Sequence, residues 1–352
     1  MAIPTDKAQK TDWYEEVTAQ VIAEMEKAQR DNASWSKSWS GLWSLGLPLR
    51  SVGVPFTGIN VWLLALTASA KGYADTRWYT FNQAKEATGY KRDGKGWKWV
   101  GAGTDPYYGV KKGEHGAHVI RVSTVPVYVD SSGNRVYPPR KSEPQAKKDA
   151  WKARLASGAV HQSGAYSNVQ SYVVFNAEQI SGLPGVVTKT VNPDERYFGA
   201  QSMIEALGIN VQHLAGCDTA AYAPLSDKIV MPLAEQFDTV ENYWATLLHE
   251  VIHWTGNGSR LDRTLGCTGS VEYAFEELVA EVGSAFLCAH LGVAGNLRHP
   301  EYLASWIKRL HDDKRAIIRA ATLAQKAVDF ILSGGGQFDE EEDEESEESA
   351  AK

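Results

Sequence analysis

The pentapeptide His249-Glu250-Val251-Ile252-His253 constrains this chain more than any other stretch, because it asks for a helix with one face able to hold a metal ion. Residues four apart on an α-helix stack about one turn above each other. Both imidazoles can then reach a single ion, and Glu250 can act on a water there as general base. Flanking residues support the helix. Asp238-Thr239 offer an N-cap, and Trp244, Leu247, Leu248, Val251 and Ile252 form an apolar stripe at helical spacing that ends at Thr255-Gly256. Such a stripe packs into a core and leaves the histidines at the boundary between core and cleft. The competing reading is an amphipathic helix that carries two surface histidines.

A catalytic zinc site takes three protein ligands and keeps a fourth position open. The run Glu272–Glu281 opens a second helix that continues through Phe286 and Leu287, with its apolar residues on one broad face. On it Glu277 and Glu281 lie four apart. Glu277 can complete a His₂Glu set, and Glu281 can orient an imidazole N–H from behind. Glu276 and Glu281 compete with Glu277 for the third ligand position. The donor set suits Zn²⁺ best, and Mn²⁺ or Fe²⁺ can also occupy it.

Four segments here, Asp227–Pro232, Tyr243–Gly256, Arg260–Arg263 and Tyr273–Glu281, resemble the C-terminal zincin-like domain of ArdC-type antirestriction proteins. Phe56–Asn60, Arg77–Ala84 and Val110–Gly116 resemble that family's single-stranded-DNA-binding domain, and Val174–Ile180 resembles the join. The similar segments follow family order from about Trp13 to Ala327. The resemblance implies an α+β fold with a DNA-binding domain over 1–130, an insertion and linker over 131–170, and a zincin-like metallopeptidase domain over 171–332. It implies a protein that binds and protects the incoming single-stranded DNA of a mobile element. The second domain then acts on, or docks, a protein such as a host restriction component. A small sheet with Ile229–Met231 on its edge, near Pro232, would let an extended peptide add as a strand. Tyr222, just before it, offers either a cleft hydroxyl or a core tyrosine.

Charge is distributed in the same sense. Residues 1–160 hold 23 Lys+Arg against 15 Asp+Glu, a net +8, within a chain of net −7. Nine acidic residues crowd the stretch Asp339–Glu348. An anionic partner is therefore expected for the first half alone. Eight of the twelve tryptophans fall in the first hundred residues, among them Trp35, Trp39, Trp43, Trp78, Trp97 and Trp99. Aromatic platforms beside a basic groove are how single strands are held without base reading. Lys91–Trp99 reads as a glycine-loosened loop mixing both elements. Arg77, Lys111 and Lys112 are the candidate phosphate contacts, and Trp78 is the candidate stacking residue.

Helices are expected over Asp12–Arg30, Ile59–Ser69, Asn82–Thr88 and, within the linker, Ala146–Leu155; strands are expected at Trp78–Phe81 and within Val119–Val129. Ser34–Leu49 reads as extended, and the residues after Ser333 read as a disordered acidic tail over 333–352. No signal peptide or membrane-length apolar run is visible, and three cysteines lack metal or redox spacing, so a cytoplasmic protein is expected. Two other readings compete. One is a general zinc metallopeptidase whose first domain recruits protein substrate; the other is a DNA mimic resting on the acidic run.

Overall fold

The structure, a computed structural model, describes residues 12–30, 46–140, 142–185, 193–293 and 303–336. Trp35, Lys37, Trp39, Trp43 and the acidic run Asp339–Glu348 lie outside the described residues.

In chain order the elements are α1 (Trp13–Arg30), β1 (Leu49–Arg50), α2 (Ile59–Lys71), β2 (Arg77–Thr80), α3 (Phe81–Ala87), β3 (Tyr90–Asp93), β4 (Gly96–Trp99) and β5 (Gly109–Val110). Then come β6 (Ala117–Asp130), β7 (Arg135–Val136), α4 (Gln145–Ala156), β8 (Val160–Asn176), β9 (Ile180–Ser181) and α5 (Pro193–Ala206). The last group is β10 (Val211–His213), β11 (Ala221–Ala223), β12 (Lys228–Met231), α6 (Val240–Thr255), α7 (Val271–Leu291), α8 (Leu303–Asp312) and α9 (Ala316–Leu332). Helices and sheet are mixed in both halves, an α+β arrangement.

Contacts group the chain into two compact units, Met1–His118 with Val173–Lys352, and Val119–Tyr172. The expected domain bounds lie near 130 and 170. The structure differs because β8 is one long strand whose last residues return to pair with β2, Trp78 opposite Asn176. In the larger unit the N-terminal helices pack on the C-terminal ones. The Thr18 hydroxyl donates to the Lys314 carbonyl at 2.7 Å, and the Gly58 N–H donates to Gln325 at 3.0 Å. α2 is apolar nearly all round, as a helix covered on most sides must be, and stops at Gly72 in the left-handed region.

The three-stranded sheet runs β10-β12-β11. β12 is therefore its central strand, parallel to β10 and antiparallel to β11, which corrects the expected edge position of Ile229–Met231. Pro232 follows the last ladder residue, so it removes no strand hydrogen bond and does not mark an edge. β10 and β11 are the edge strands of this sheet, and β11 packs beside α6. Lys91–Trp99, expected as a loop, is a hairpin of β3 and β4 turned at Gly94-Lys95, with Gly94 at φ 57°.

The smaller unit is built on an antiparallel ribbon. β6 neighbours β8, and β7 pairs with β6 at Tyr128 and Val129. Pro126 falls just before that short pairing. The linker expected over 131–170 is thus largely β7, α4 and β8, and α4 extends the expected helix by one residue at each end.

Candidate metal centre

Thr239 starts α6, its hydroxyl accepting the Asn242 N–H at 3.2 Å, and Ser270 starts α7 in the same way from Tyr273 at 3.0 Å. α6 carries His249, Glu250 and His253 inward, and α7 carries Glu276, Glu277 and Glu281; all six are at least nine-tenths buried. The helices approach closely because α7 presents Gly283. A Cβ there would meet the Ile252 side chain at 3.0 Å. That approach brings the carboxylates within reach of the imidazoles.

The two Nε2 atoms lie 3.2 Å apart. Glu277 spans them, with one oxygen 3.5 Å from His249 Nε2 and the other 3.5 Å from His253 Nε2. One ligand atom from each of these three residues lies within 4.8 Å of the others. The other carboxylates stand behind the rings: Glu281 is 3.5 Å from His249 Nδ1, and Glu276 is 3.3 Å from His253 Nδ1. Neutral imidazoles with Nδ1 turned to carboxylates point two Nε2 lone pairs at one spot, which is repulsive unless a cation sits between them. The donor set therefore fits a divalent ion. Of the three acidic candidates on α7, only Glu277 lies on the Nε2 side of both rings.

Electrostatics among the protein groups point the same way. Burial pulls both histidines down, but the carboxylates outweigh it. His253, facing Glu276 and Glu277, is pushed up to about 9, and His249 is raised well above its ordinary value by Glu277 and Glu281. Burial pushes Glu277 up, yet the two imidazoles hold it well below the usual carboxylate range. An ion taken up here displaces the protons those imidazoles would hold.

Glu250 is held from the sheet. Its Oε2 accepts the Tyr222 backbone N–H at 2.7 Å, so β11 sets the carboxylate beside the imidazoles. The Tyr222 hydroxyl points elsewhere: it donates to Asp227 at 2.8 Å and receives Asn257 at 2.7 Å and Arg260 at 3.0 Å. It offers no free hydroxyl to a cleft.

Two arginines in the turn after α6, which are not among the expected site residues, hold opposite sides of this site. Arg260 lies over the Trp254 ring and binds Asp227, tying the end of α6 to the turn between β11 and β12. Arg263 clamps Glu276 with two nitrogens, at 3.0 and 2.7 Å, and also donates to the Thr255 hydroxyl and the Ile252 carbonyl at 2.8 Å each. Gly256 makes room for it, since a Cβ there would lie 3.0 Å from that guanidinium. Such residues sit in a loop with no periodicity, and only their juxtaposition reveals them. Glu276→Gln is expected to weaken metal affinity by about 10–100-fold, as loss of a carboxylate behind a ligating histidine does. Chelator competition measures it; wild-type affinity would show that Glu276 does not hold His253.

The sequence-expected DNA contacts are scattered differently. Trp78 is 1 % exposed, set edge-on to Tyr73, and has no face left for a base. It lies on β2, between β1 and β8, so it is a core residue. Arg77 is paired with Asp75 at 2.8 Å and donates to the Pro184 carbonyl at 2.9 Å, which commits its fork to the fold. Lys111 and Lys112 are exposed, Lys111 donating to the Glu178 carbonyl at 2.7 Å. The β3–β4 hairpin exposes Lys91, Arg92, Lys95 and Lys98, with Arg92 over the half-buried Trp97 ring at 5.2 Å. No helix among the described residues is long and apolar enough to cross a membrane.

Comparison with known proteins agrees with both halves. Residues 11–174 match the model of the N-terminal domain of the anti-restriction factor ArdC, and residues 199–323 match that of the zincin-like metallopeptidase. DNA primase TraC of Escherichia coli is 35 % identical over 330 residues, 92 % of this chain, but the chain spans only 27 % of that primase. The uncharacterized protein y4eC of Sinorhizobium fredii is 31 % identical, with 91 % of this chain and 92 % of that protein covered. The metal-free crystal structure of the antirestriction protein ArdC from plasmid R388 superposes with a TM-score of 0.66 at 32 % identity, covering 94 % of this chain and all of that one. Its Mn(II)-bound structure gives 0.64 at 33 % identity, with the same coverage. An N-terminal ArdC domain joined to a zincin-like domain, matched from end to end by a solved ArdC, places this chain in the ArdC family of antirestriction proteins.

Proposed function

We propose that the chain binds and protects the incoming single-stranded DNA of a mobile element through its N-terminal half, and carries a metal-dependent peptidase-like domain. The observation that carries this reading is the correspondence with the whole length of R388 ArdC, in both halves and in order. The basic first half supports it, as do the cations of the β3–β4 hairpin with Lys111 and Lys112. Two of the relatives are named DNA primases. A general peptidase without a DNA role is not favoured, because it leaves the ArdC-type first half unexplained. The setting we propose is the cytoplasm of the host or recipient bacterium, with a protein substrate or restriction component as the second partner.

His249, His253 and Glu277 would hold the ion, Zn²⁺ by donor chemistry, with Mn²⁺ supported by the Mn(II)-bound relative. When bound, it would supply Lewis acidity to a peptide carbonyl and to the attacking water. Glu250, fixed by the Tyr222 N–H, receives the proton of that water and passes it to the leaving amine. Glu281 and Glu276 keep the two imidazoles oriented.

Labelled single-stranded and duplex oligonucleotides titrated against the full chain test the DNA reading. The full chain is needed because β8 supplies the strand that pairs with β2. Single strands should bind tighter, since only unpaired bases can stack on aromatic faces. The affinity should fall with salt by a slope of about −0.7 per phosphate contact. Equal affinity for both forms, or no salt dependence, overturns it.

A further inference from the structure

We infer that the unit Val119–Tyr172 is itself a nucleic-acid-binding arm, whose exposed Arg135, Tyr137 and Tyr166 form a stacking and phosphate-contact site for single-stranded nucleic acid. The inference rests on the reading that the chain binds single strands, and locates that binding on an element expected to be only a linker.

Charge comes first. Residues 119–172 hold eight Lys+Arg against three Asp+Glu, a net +5 in a stretch that is otherwise mostly a thin ribbon. The cations are not spent on a core. No side chain of α4 is buried, and Lys147, Lys152 and Arg154 on it are exposed, with Lys148 half-buried. A ribbon with much of its surface in solvent and a helix with no buried side chain gain little from the hydrophobic effect. Their residues are disposed as a surface rather than as filling.

The aromatic residues give the surface its chemistry. Arg135 lies over the Tyr137 ring at 5.2 Å and over the Tyr166 ring at 5.4 Å. Tyr137 is 72 % exposed and Tyr166 47 % exposed, so both rings are open to a ligand beside Arg135. The site is held in place. The Asp130 carboxylate accepts the Ser132 and Asn134 N–H groups at 2.9 and 3.0 Å, fixing the turn that leads into β7 and Arg135. On the neighbouring stretch, Trp151 of α4 sits edge-on to Tyr128 at 5.2 Å, with Arg154 over its ring. Cations interleaved with accessible aromatic faces match a ligand that alternates phosphates and flat bases. An acidic peptide would call on the cations and leave the rings unexplained.

The test uses the full chain and fluorescent oligothymidylate. Arg135→Ala/Tyr137→Ala/Tyr166→Ala should weaken binding by at least about tenfold, since stacked bases lose their aromatic platforms. A second variant replaces Lys147, Lys152 and Arg154 with alanine, all at exposed positions, giving up one surface pair of Lys147 with Glu143 and the Arg154 contact with Trp151. It should flatten the slope of log affinity against log salt by about 0.7 for each phosphate contact removed. Polyglutamate should not compete at matched charge. Wild-type binding with both variants unchanged overturns this inference while leaving the DNA reading of the chain intact. Absence of oligothymidylate binding by the wild type overturns both, and competition by polyglutamate as strong as by oligothymidylate makes the arm a protein-docking surface instead.

Discussion

Replacing His253 with alanine is expected to cut bound divalent metal to a small fraction of the wild-type stoichiometry. His253 supplies one of three converging ligand atoms, and its loss leaves His249 Nε2 and one Glu277 carboxylate. Two ligands do not close a structural or catalytic zinc site. The variant also leaves Glu276 with Arg263 alone, so its charge stays paired and the site can persist without the ring. Elemental analysis of the purified protein reads the stoichiometry directly. Thermal denaturation gives an independent readout, because a ligand that binds only the native state stabilises it by about 2.7 kcal/mol at a hundred times its Kd. The wild-type midpoint should rise on adding Zn²⁺ or Mn²⁺, and the variant's should not. Wild-type metal content in the variant would remove His253 from the ligand set.

What could be read in advance follows from the range over which each signal acts. The metal helix was legible because its cap, its stripe and its two histidines all lie within 18 residues, and helical geometry alone places the imidazoles together. The choice among Glu276, Glu277 and Glu281 was not. Glu277 and Glu281 share one side of α7 with Glu276 next to them, so only the close approach at Gly283 decides which one meets the Nε2 atoms. Arg77 and Trp78 misled for a related reason. A cation next to an indole looks like a binding pair, but the partner of Arg77 is Asp75 and that of Trp78 is the sheet interior. The β3–β4 hairpin could have been found from Asp93-Gly94 between alternating residues, a turn signal of known geometry. β6 could be read from the alternation within Val119–Val129, but β8 carried no such signal, since most of its length meets solvent and its burial does not alternate. Arg260 and Arg263 lie in a turn whose importance depends wholly on what it touches.

Glu250→Gln should separate metal binding from chemistry. Glutamine keeps the size of the side chain and can still accept the Tyr222 N–H through its amide oxygen, so the carboxamide should stay where the carboxylate stood. It cannot take up a proton near neutral pH. The ion, held by His249, His253 and Glu277, should remain at wild-type stoichiometry, because no Glu250 oxygen belongs to that set. Turnover should fall by about 10²–10⁴-fold, the usual contribution of a positioned general base. Metal-loaded wild type and variant can be incubated with a bacterial protein extract and the newly formed amino termini labelled and counted. Wild type is expected to generate termini that the variant does not. Identical sets of new termini from both would remove Glu250 from the mechanism, and loss of the ion from the variant would make Glu250 a structural support of the site. If the wild type forms no new termini while the ion still raises its thermal midpoint, the domain is a docking module whose metal stabilises the fold.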